Sequence, residues 1–410
     1  AITAAEAGSK VTLIEKGSVF GGNTMMAGAA FNAVDPDAQA IMRLSAAQKG
    51  TLDGYLALSV DDPALKFDQF PEWRDVLVSL QDEIRAYFAA NEGKTPGVDL
   101  PGFDSVSLHM WHIYTGGLRE MSDGAWVASD IDLARTLAEN ALGTFEWMDA
   151  QDMECVYGSK ATEGLYTVLG AMWPRTHTFI QGKDRITRLR EAAEKVGVSS
   201  YAETAAKQLL MDGGVVKGAV AERSDGTKIT INASQGVVLA CGGYCANPAM
   251  VKKYDKYWGD DLSDTTLTTN MGTNEGDGIV MAQEIGAATT GLEVAQMMPS
   301  SSPVKGTMTD GVWGDASEQI WIDGMGNRFV DEYAERDVLA KASLKLDGGI
   351  FYILYAGTAD DTGWAKGAEY EGAAPSGSIK DFVESGQVWY GETLEELAEA
   401  SKNPAAGVAP

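Results

Sequence analysis

The sequence runs to 410 residues, 45% of them hydrophobic, which is ample for a large core and for two or more domains. A formal net charge of −27 argues against nucleic acid and anionic membrane surfaces as partners, and no run of 18 apolar residues marks a transmembrane segment. Three cysteines, Cys155, Cys241 and Cys245, are too few for a disulfide framework; the "CGGYC" spacing reads as two ordinary small residues rather than a redox or zinc pair.

The chain opens on "AITAAEAGS", which reads as a helix already under way, with Ile2, Ala4 and Ala5 on one face and Gly8 as its stop. In "KVTLIEKGSVFGGNT", Val11, Leu13 and Ile14 then predict a short buried strand that ends at Glu15 and runs into a loop at Gly21-Gly22. Helix followed by apolar strand is the second half of a βαβ unit, and in a dinucleotide-binding fold a first strand and a G-x-G-x-x-G turn precede such a helix. The chain is therefore expected to be a fragment cut inside the first crossover helix.

Helical patterns follow at 38–49, 63–91, 130–150 and 184–196, with Gly/Pro punctuation near 93–102. "VVKGAVAERSDGTKITINA" predicts two strands joined by a turn at Asp225-Gly226. "GVVLACGGY" predicts a fully apolar central strand ending at Gly242-Gly243. "GTNEGDGIVMAQEIGA" is a glycine-rich loop entering a helix near Gly276, and "IWIDGMGNRFVDE" predicts a hairpin around Gly324–Asn327. A last helix at "TLEELAEA" carries Thr393 and Glu396 at capping-box spacing and is stopped by Asn403-Pro404.

The chemistry begins at Glu15. An acid at the end of the second strand of a dinucleotide fold can accept hydrogen bonds from ribose hydroxyls. Gly21 and Gly22 let backbone approach a phosphate or flavin ring where a β-carbon would collide. Asn23 and Thr24 add side-chain donors. The plainer alternative is a surface acid followed by a flexible loop.

"VTLIEKGSVFGGNTMMAGAAFNA" resembles the segment from second strand to flavin loop in the fumarate reductase/succinate dehydrogenase flavoprotein family. The similarity is greatest to its soluble branch, the flavocytochrome c fumarate reductases and urocanate-type reductases. "GVVLACGGYCANPAMVKKY" resembles the family's V-V-L-A-T-G-G-F strand and turn, and "GTNEGDGIVMAQEIGAATTGLEVAQMMPSSSP" its G-A-T-G-D-G helix and the start of the substrate domain. "DGMGNRFVDEYAERD" resembles the G-N-R-F-x-N-E hairpin followed by T-R-D, and "GETLEELAEA" a helix near the end of the capping domain. These five matches are collinear and span nearly the whole chain, with residues 50–170 the weakest part.

The resemblance implies an α/β fold: a doubly wound, Rossmann-like FAD domain over residues 1–292 and an α+β capping domain over 293–410, with the C-terminal return to the FAD domain missing. It implies a ribose contact for Glu15, and a pyrophosphate and isoalloxazine lining from Lys16, Gly22, Asn23, Thr24, Gly28 and Ala29. Asp277 in the G-D-G turn would also meet the cofactor, or serve as an N-cap for the following helix, or both. Asn23 stands where the membrane-bound branch carries its flavin-linking histidine, so non-covalent FAD is implied. Arg336 in "AERD" matches the arginine that delivers a proton as hydride passes from flavin N5 to an activated C=C bond. Arginine is an unusual acid, being protonated throughout the ordinary pH range; taken without the motif, Arg336 reads as an i,i+4 partner of Glu332. Arg328 reads as structural.

Two departures bear on substrate. Met298 occupies the position of a histidine that grips a substrate carboxylate in fumarate reductases, and "DGVWGDASEQIWI" lacks the family's Thr-Glu pair. A less polar pocket and an enoate larger than fumarate follow. Implied partners are a small unsaturated acid and an electron donor outside these residues: a haem domain, a flavin domain or a reductase. No CxxCH occurs, so no c-type haem attaches here. A flavin dehydrogenase of the 3-ketosteroid type and a non-catalytic flavin-binding subunit are the competing readings; cytoplasmic and periplasmic locations both stay open. His109 and His112, at i,i+3, lack the further ligands a metal needs, and His177 is expected to make ordinary hydrogen bonds.

Overall fold

The structure, a computed structural model, describes residues 1–27, 30–153, 155–157, 165–168, 171–179, 182–263, 266–299, 319–355, 383 and 388–402. The chain divides into two compact units, one of Ala1–Gly28 with Gln181–Pro410 and the other of Ala29–Ile180. This partition differs from the boundary at 292 drawn from sequence: the separate body is an insertion that leaves the chain after the Gly21-Gly22 loop. The first unit opens with helix α1 (Ile2–Glu6), closed at Gly8, whose φ of 89° is left-handed. Strand β1 (Thr12–Ile14) follows, half-buried rather than buried.

In the inserted unit, β2 (Ala30–Asn32) leads to α2 (Pro36–Ile41), capped by Asp35, which accepts from the Ala38 amide at 3.0 Å. A separate helix α3 (Ala46–Ala57) starts at a reciprocal Ser45–Gln48 capping box, so the single helix expected at 38–49 is broken in two. The pattern at 63–91 likewise breaks: Pro63 and Pro71 open short 3₁₀ turns before α4 (Arg74–Ala90). Helix α5 (Val106–Gly117), capped by Ser105, was not anticipated. Its buried Leu108, His109, Met110, Trp111 and Tyr114 cover too wide an arc to give a helical stripe. Strands β3 (Arg119–Glu120) and β4 (Trp126–Val127) form a short hairpin before α6 (Ile131–Asp149), which Asp130 caps and which buries Ala134, Ala138, Ala141 and Phe145. The core joins Leu52, Trp73, Leu77, Leu80, Ile84, Leu108 and Trp111, with Trp73 stacked on Tyr114 at 4.8 Å. Strands β5 (Cys155–Tyr157), β6 (Tyr166–Val168) and β7 (Ala171–Phe179) complete an antiparallel sheet in which β7 pairs with β2, β5 and β6.

The chain re-enters the first unit at α7 (Gly182–Lys195), turns at Gly197 and forms β8 (Ser199–Tyr201), parallel to β1 with Leu13 opposite Ser200. A parallel pair joined through a helix is the doubly wound element. An antiparallel meander follows, β9 (Thr204–Asp212), β10 (Val215–Arg223) and β11 (Lys228–Asn232), with the β10–β11 turn at Asp225-Gly226 as expected. The run 236–244 is not the central strand expected from its composition. No strand pairs with it among the described residues, and Val238 is 90% exposed. A strand is a paired state, and apolar composition alone does not supply a neighbour.

Helix α8 (Pro248–Tyr254) is capped by Asn247, and α9 (Asp277–Glu284) begins after Gly276. Strand β12 (Gln319–Ile322) is followed by the expected tight turn, closed by an Ile322–Arg328 bridge and an Asp323 amide bond to the Asn327 carbonyl. Its ladder partner is not the turn's far arm but β13 (Tyr352–Tyr355), beyond α10 (Arg336–Leu344). Helix α11 (Leu394–Ser401) is capped by Thr393, although the Glu396 carboxylate accepts from the Glu392 amide, one residue before the capping-box position. Asn403 and Pro404 lie outside the described residues. No described helix is long and apolar enough to cross a membrane.

Candidate functional site

Glu15 sits where β1 ends. Its amide donates to the Tyr201 carbonyl at 2.9 Å and its own carbonyl accepts from the Thr204 amide at 2.8 Å, which locks the strand end onto β8 and β9. Its carboxylate turns back to accept from the Gly17 amide at 2.6 Å. The acid is thus held over the turn rather than released to solvent.

The two loop glycines differ. Gly21 has φ 113°, and a β-carbon there would stand 2.7 Å from Ile186 Cγ1 on α7 and 2.8 Å from Met25 Cγ. Packing within the protein, not a ligand, requires that glycine. Gly22 has φ 48°, and a β-carbon there would meet nothing within 4 Å among the described residues, so that side is the one a cofactor can approach. Asn23 is engaged at both ends: Nδ2 donates to Asn270 Oδ1 at 2.6 Å, and Oδ1 accepts from the Met271 amide at 2.7 Å. Asn274 Nδ2 donates to the same Asn270 oxygen at 2.8 Å, which extends the chain of amides to a buried residue beside Gly242. Asn23 is therefore a tie between loops more than a free donor. The Thr24 amide closes the short turn on the Gly21 carbonyl. Gly28 and Ala29 lie outside the described residues.

Lys16 faces two carboxylates, Asp277 Oδ2 at 2.6 Å and Glu275 Oε2 at 2.8 Å. Burial pulls its ammonium down, but the two carboxylates outweigh burial and raise its pKa. Asp277 is the first residue of α9, not its cap. The cap position is Gly276, left-handed at φ 91°, where a β-carbon would lie 2.6 Å from Met250 Sδ and 2.9 Å from Tyr244 Cβ. Among the described residues no side chain caps α9, as none caps α1, α4 or α10. Cys241 packs its Cβ and Sγ against Gly278, in the first turn of the same helix. Cys241 and Cys245 are free thiols, both raised in pKa chiefly by burial.

Arg336 and Met298 meet. Arg336 Nη1 lies 3.7 Å from Met298 Sδ, at the first position of α10. Glu332 precedes the helix and so cannot be its i,i+4 partner within it. Its carboxylate binds Arg328 at 2.5 Å and accepts from the Trp321 amide at 2.7 Å, so Arg328 is the structural arginine. A cation at a helix N-terminus opposes the macrodipole by ~0.3–1 kcal/mol, so helix electrostatics does not favour Arg336 at this position. Beside it Asp337 accepts from Tyr257 Oη at 2.5 Å, and Lys341 Nζ lies 3.5 Å from the Tyr257 ring centroid and donates to the Tyr257 carbonyl at 3.3 Å. The loop cluster and the arginine share one apolar support: Tyr244, Met250 and Trp258 pack with Ile279 of α9, Ala340 of α10 and Met297.

Sequence reasoning did not single out Asn270, Asn274, Glu275 or Tyr257; the polar run "TTNMGTNEGDG" was the available signal for the first three. In the inserted unit His177 Nε2 lies 3.1 Å from Asp35 Oδ2, the ordinary bond expected of it. His112 Nε2 lies 3.1 Å from Tyr55 Oη. No metal-binding group of His, Cys, Asp and Glu occurs among the described residues.

The arrangement suits a dinucleotide: an acid at a strand end, a glycine turn, and a first turn of α9 that no side chain caps among the described residues. The FAD binding domain family matches residues 1–350. An NADH:acrylate oxidoreductase of Vibrio harveyi is 30% identical over 97% of the chain and 37% of its own length. A urocanate reductase of Eggerthella lenta is 26% identical over 68% of the chain and 45% of its own length. The chain thus spans less than half the length of these relatives. The open conformation of a flavocytochrome c3 fumarate reductase superposes with a TM-score of 0.58 over 99% of the chain and 57% of that structure, at 22% identity.

Proposed function

The chain belongs to the FAD binding domain family, and from that premise we propose that the protein reduces the activated C=C bond of an unsaturated carboxylate. Glu15, the Gly22 turn and the first turn of α9 would hold FAD, without a covalent link, since the position of the linking histidine is Asn23 and its amide is tied to Asn270 and Met271. FAD held there, once reduced by the electron donor, would supply the hydride for one alkene carbon. Arg336 supplies the proton to the other, and the two together saturate the bond. Residues 293–410 form the substrate side. The electron donor is a haem, flavin or reductase component beyond these residues.

The observation that carries this reading is the placement of Arg336 at the start of α10 against the Met298 thioether. A thioether is a weak hydrogen-bond acceptor and carries no charge. It also offers no grip to a second substrate carboxylate. One carboxylate joined to a less polar remainder therefore fits better than fumarate. Urocanate, the acid in the name of one relative, has this form and is larger than fumarate, as are cinnamate-like acids; acrylate, in the name of another, shares the single carboxylate but is smaller. The test is anaerobic reoxidation of the reduced full-length protein by a panel of unsaturated acids. Monocarboxylate enoates should reoxidise it faster than fumarate; fumarate as the best oxidant would overturn the pocket assignment.

A further inference from the structure

We propose that Asn274 is a cofactor-binding residue that no motif marks: its side-chain oxygen, held over the left-handed turn at Gly242, accepts a hydrogen bond from a hydroxyl of the ribose or ribityl chain of FAD. This role rests on the FAD reading of the site.

One backbone bond fixes the orientation of three side-chain amides. The Met271 N–H can only donate, so the Asn23 atom that meets it at 2.7 Å is Oδ1. The other end of Asn23 is then Nδ2, which donates at 2.6 Å to Asn270, so the facing atom of Asn270 is its oxygen. That oxygen also meets the Asn274 carboxamide at 2.8 Å, so the Asn274 atom there is Nδ2. The far end of the chain agrees. Asn270 Nδ2 donates at 3.1 Å to Thr268 Oγ1, and that hydroxyl donates at 2.8 Å to the Cys245 carbonyl. Asn274 Oδ1 is the atom left over, and it lies against Gly242.

Asn274 is 8% exposed, and its backbone is tied at both ends: its amide donates to the Met271 carbonyl at 2.9 Å, and its carbonyl accepts from the Ala246 amide at 3.0 Å. Its Oδ1 has no donor among the described residues. Gly242 has φ 72°, and a β-carbon there would stand 2.8 Å from that oxygen; one on Gly243 would stand 3.8 Å from Nδ2. The carboxamide thus lies over bare backbone, in a space that glycine leaves open. A nearly buried carbonyl oxygen without a donor is an unmet acceptor. A phosphate cannot meet it, because ionised phosphate oxygens also only accept; a sugar hydroxyl can. Cys241, the residue before the turn, packs on Gly278, and its thiol is raised by burial and then by the Asp277 and Glu15 carboxylates. The turn therefore adjoins the acid at the end of β1, and two acceptors near one another suit the polyol part of the cofactor.

The test pairs changes in the protein with changes in the ligand. The full-length protein and its Asn274→Leu variant are titrated, by flavin fluorescence, with FAD and with FAD analogues that each lack one hydroxyl of the ribose or of the ribityl chain. Wild type should bind one of these analogues about tenfold more weakly than FAD, the scale of one hydrogen bond. Asn274→Leu should bind that analogue and FAD alike, and the identity of the analogue tells ribose from ribityl. Asn274→Asp, which keeps an acceptor in the same place, should preserve the wild-type discrimination whatever its overall affinity. Equal discrimination by wild type and Asn274→Leu would overturn the role and leave Asn274 a tie between loops. A wild type that binds every analogue as tightly as FAD would overturn it without any variant. A wild-type protein that takes up no FAD would instead remove the cofactor reading on which the role depends.

Discussion

Arg336 and Met298, 38 positions apart, are brought within 3.7 Å by a core that packs Met297 and Ala340 around Tyr244 and Trp258. The proposed proton donor therefore has a thioether among its neighbours. A sulfur neither strips the guanidinium of its proton nor competes strongly for it through a hydrogen bond.

Replacing that sulfur with a donor should change substrate choice. Met298→His should raise kcat/KM for fumarate by about tenfold or more, the scale of one hydrogen bond to a charged group, and lower it for monocarboxylate enoates. Steady-state rates of the full-length protein on both substrates check this; unchanged preference would show that residue 298 does not face the substrate.

Tyr257 should matter through Asp337. Tyr257→Phe removes the hydroxyl that donates to Asp337 while keeping the ring under Lys341. A small displacement of a positioned group costs up to ~100-fold in rate, so kcat should fall with FAD affinity unchanged. A matched loss in both, or in neither, would count against a positioning role.

The inserted unit should lose stability on acidification. Burial holds His109 down to about 3 and His112 well below its usual range, in both cases reinforced by the nearby Arg175 guanidinium. A depressed histidine stabilises the fold fully above its unfolded pKa of ~6.5 and loses that contribution as pH falls toward the folded value. Asp104, pushed up to about 6 by burial despite its bonds to Arg175 at 2.7 and 3.1 Å, acts in the opposite sense over the same range. Two histidines against one aspartate leave a net loss on the order of 2 kcal/mol between pH 6.5 and 5. Urea midpoints at the two pH values measure it; a midpoint that rises on acidification would contradict it.

Leu80, fully buried among Trp73, Leu77 and Ile84, gives the packing counterpart. Leu80→Ala should cost ~2–5 kcal/mol, read as a lower urea midpoint with an unchanged slope. A loss under ~1 kcal/mol would mean that the site collapses to fill the void.

What the sequence disclosed follows from the range over which its signals act. The Asp225-Gly226 turn, α6 and α7 were legible because alternation, caps and turn residues are local. Helix α5 was hidden by its wide apolar surface, and the break at Ser45 by a periodicity that ran across it. The run 236–244 shows the limit of composition, since apolar residues propose a strand and only a neighbour makes one. The extent of the inserted unit and the Lys16–Asp277 contact both depend on residues far apart in the chain. Motif order singled out Glu15, Asn23, Asp277 and Arg336, which stand at the end of β1, in the short turn after it and at the starts of α9 and α10. It did not show that Gly21 packs on Ile186, that Asn23 ties two loops, or that Arg336 abuts Met298.

The proton-donor role of Arg336 is the centre of the account, and anaerobic single-turnover reoxidation of the reduced full-length protein by an enoate such as acrylate tests it most directly. Arg336→Lys keeps the charge but loses the planar fork and its reach. The variant should retain FAD, released wholly to the supernatant on acid precipitation, while its reoxidation slows by ~10²–10⁴-fold, the usual contribution of a positioned acid. An Arg336→Lys protein that is reoxidised at close to the wild-type rate would contradict the assignment.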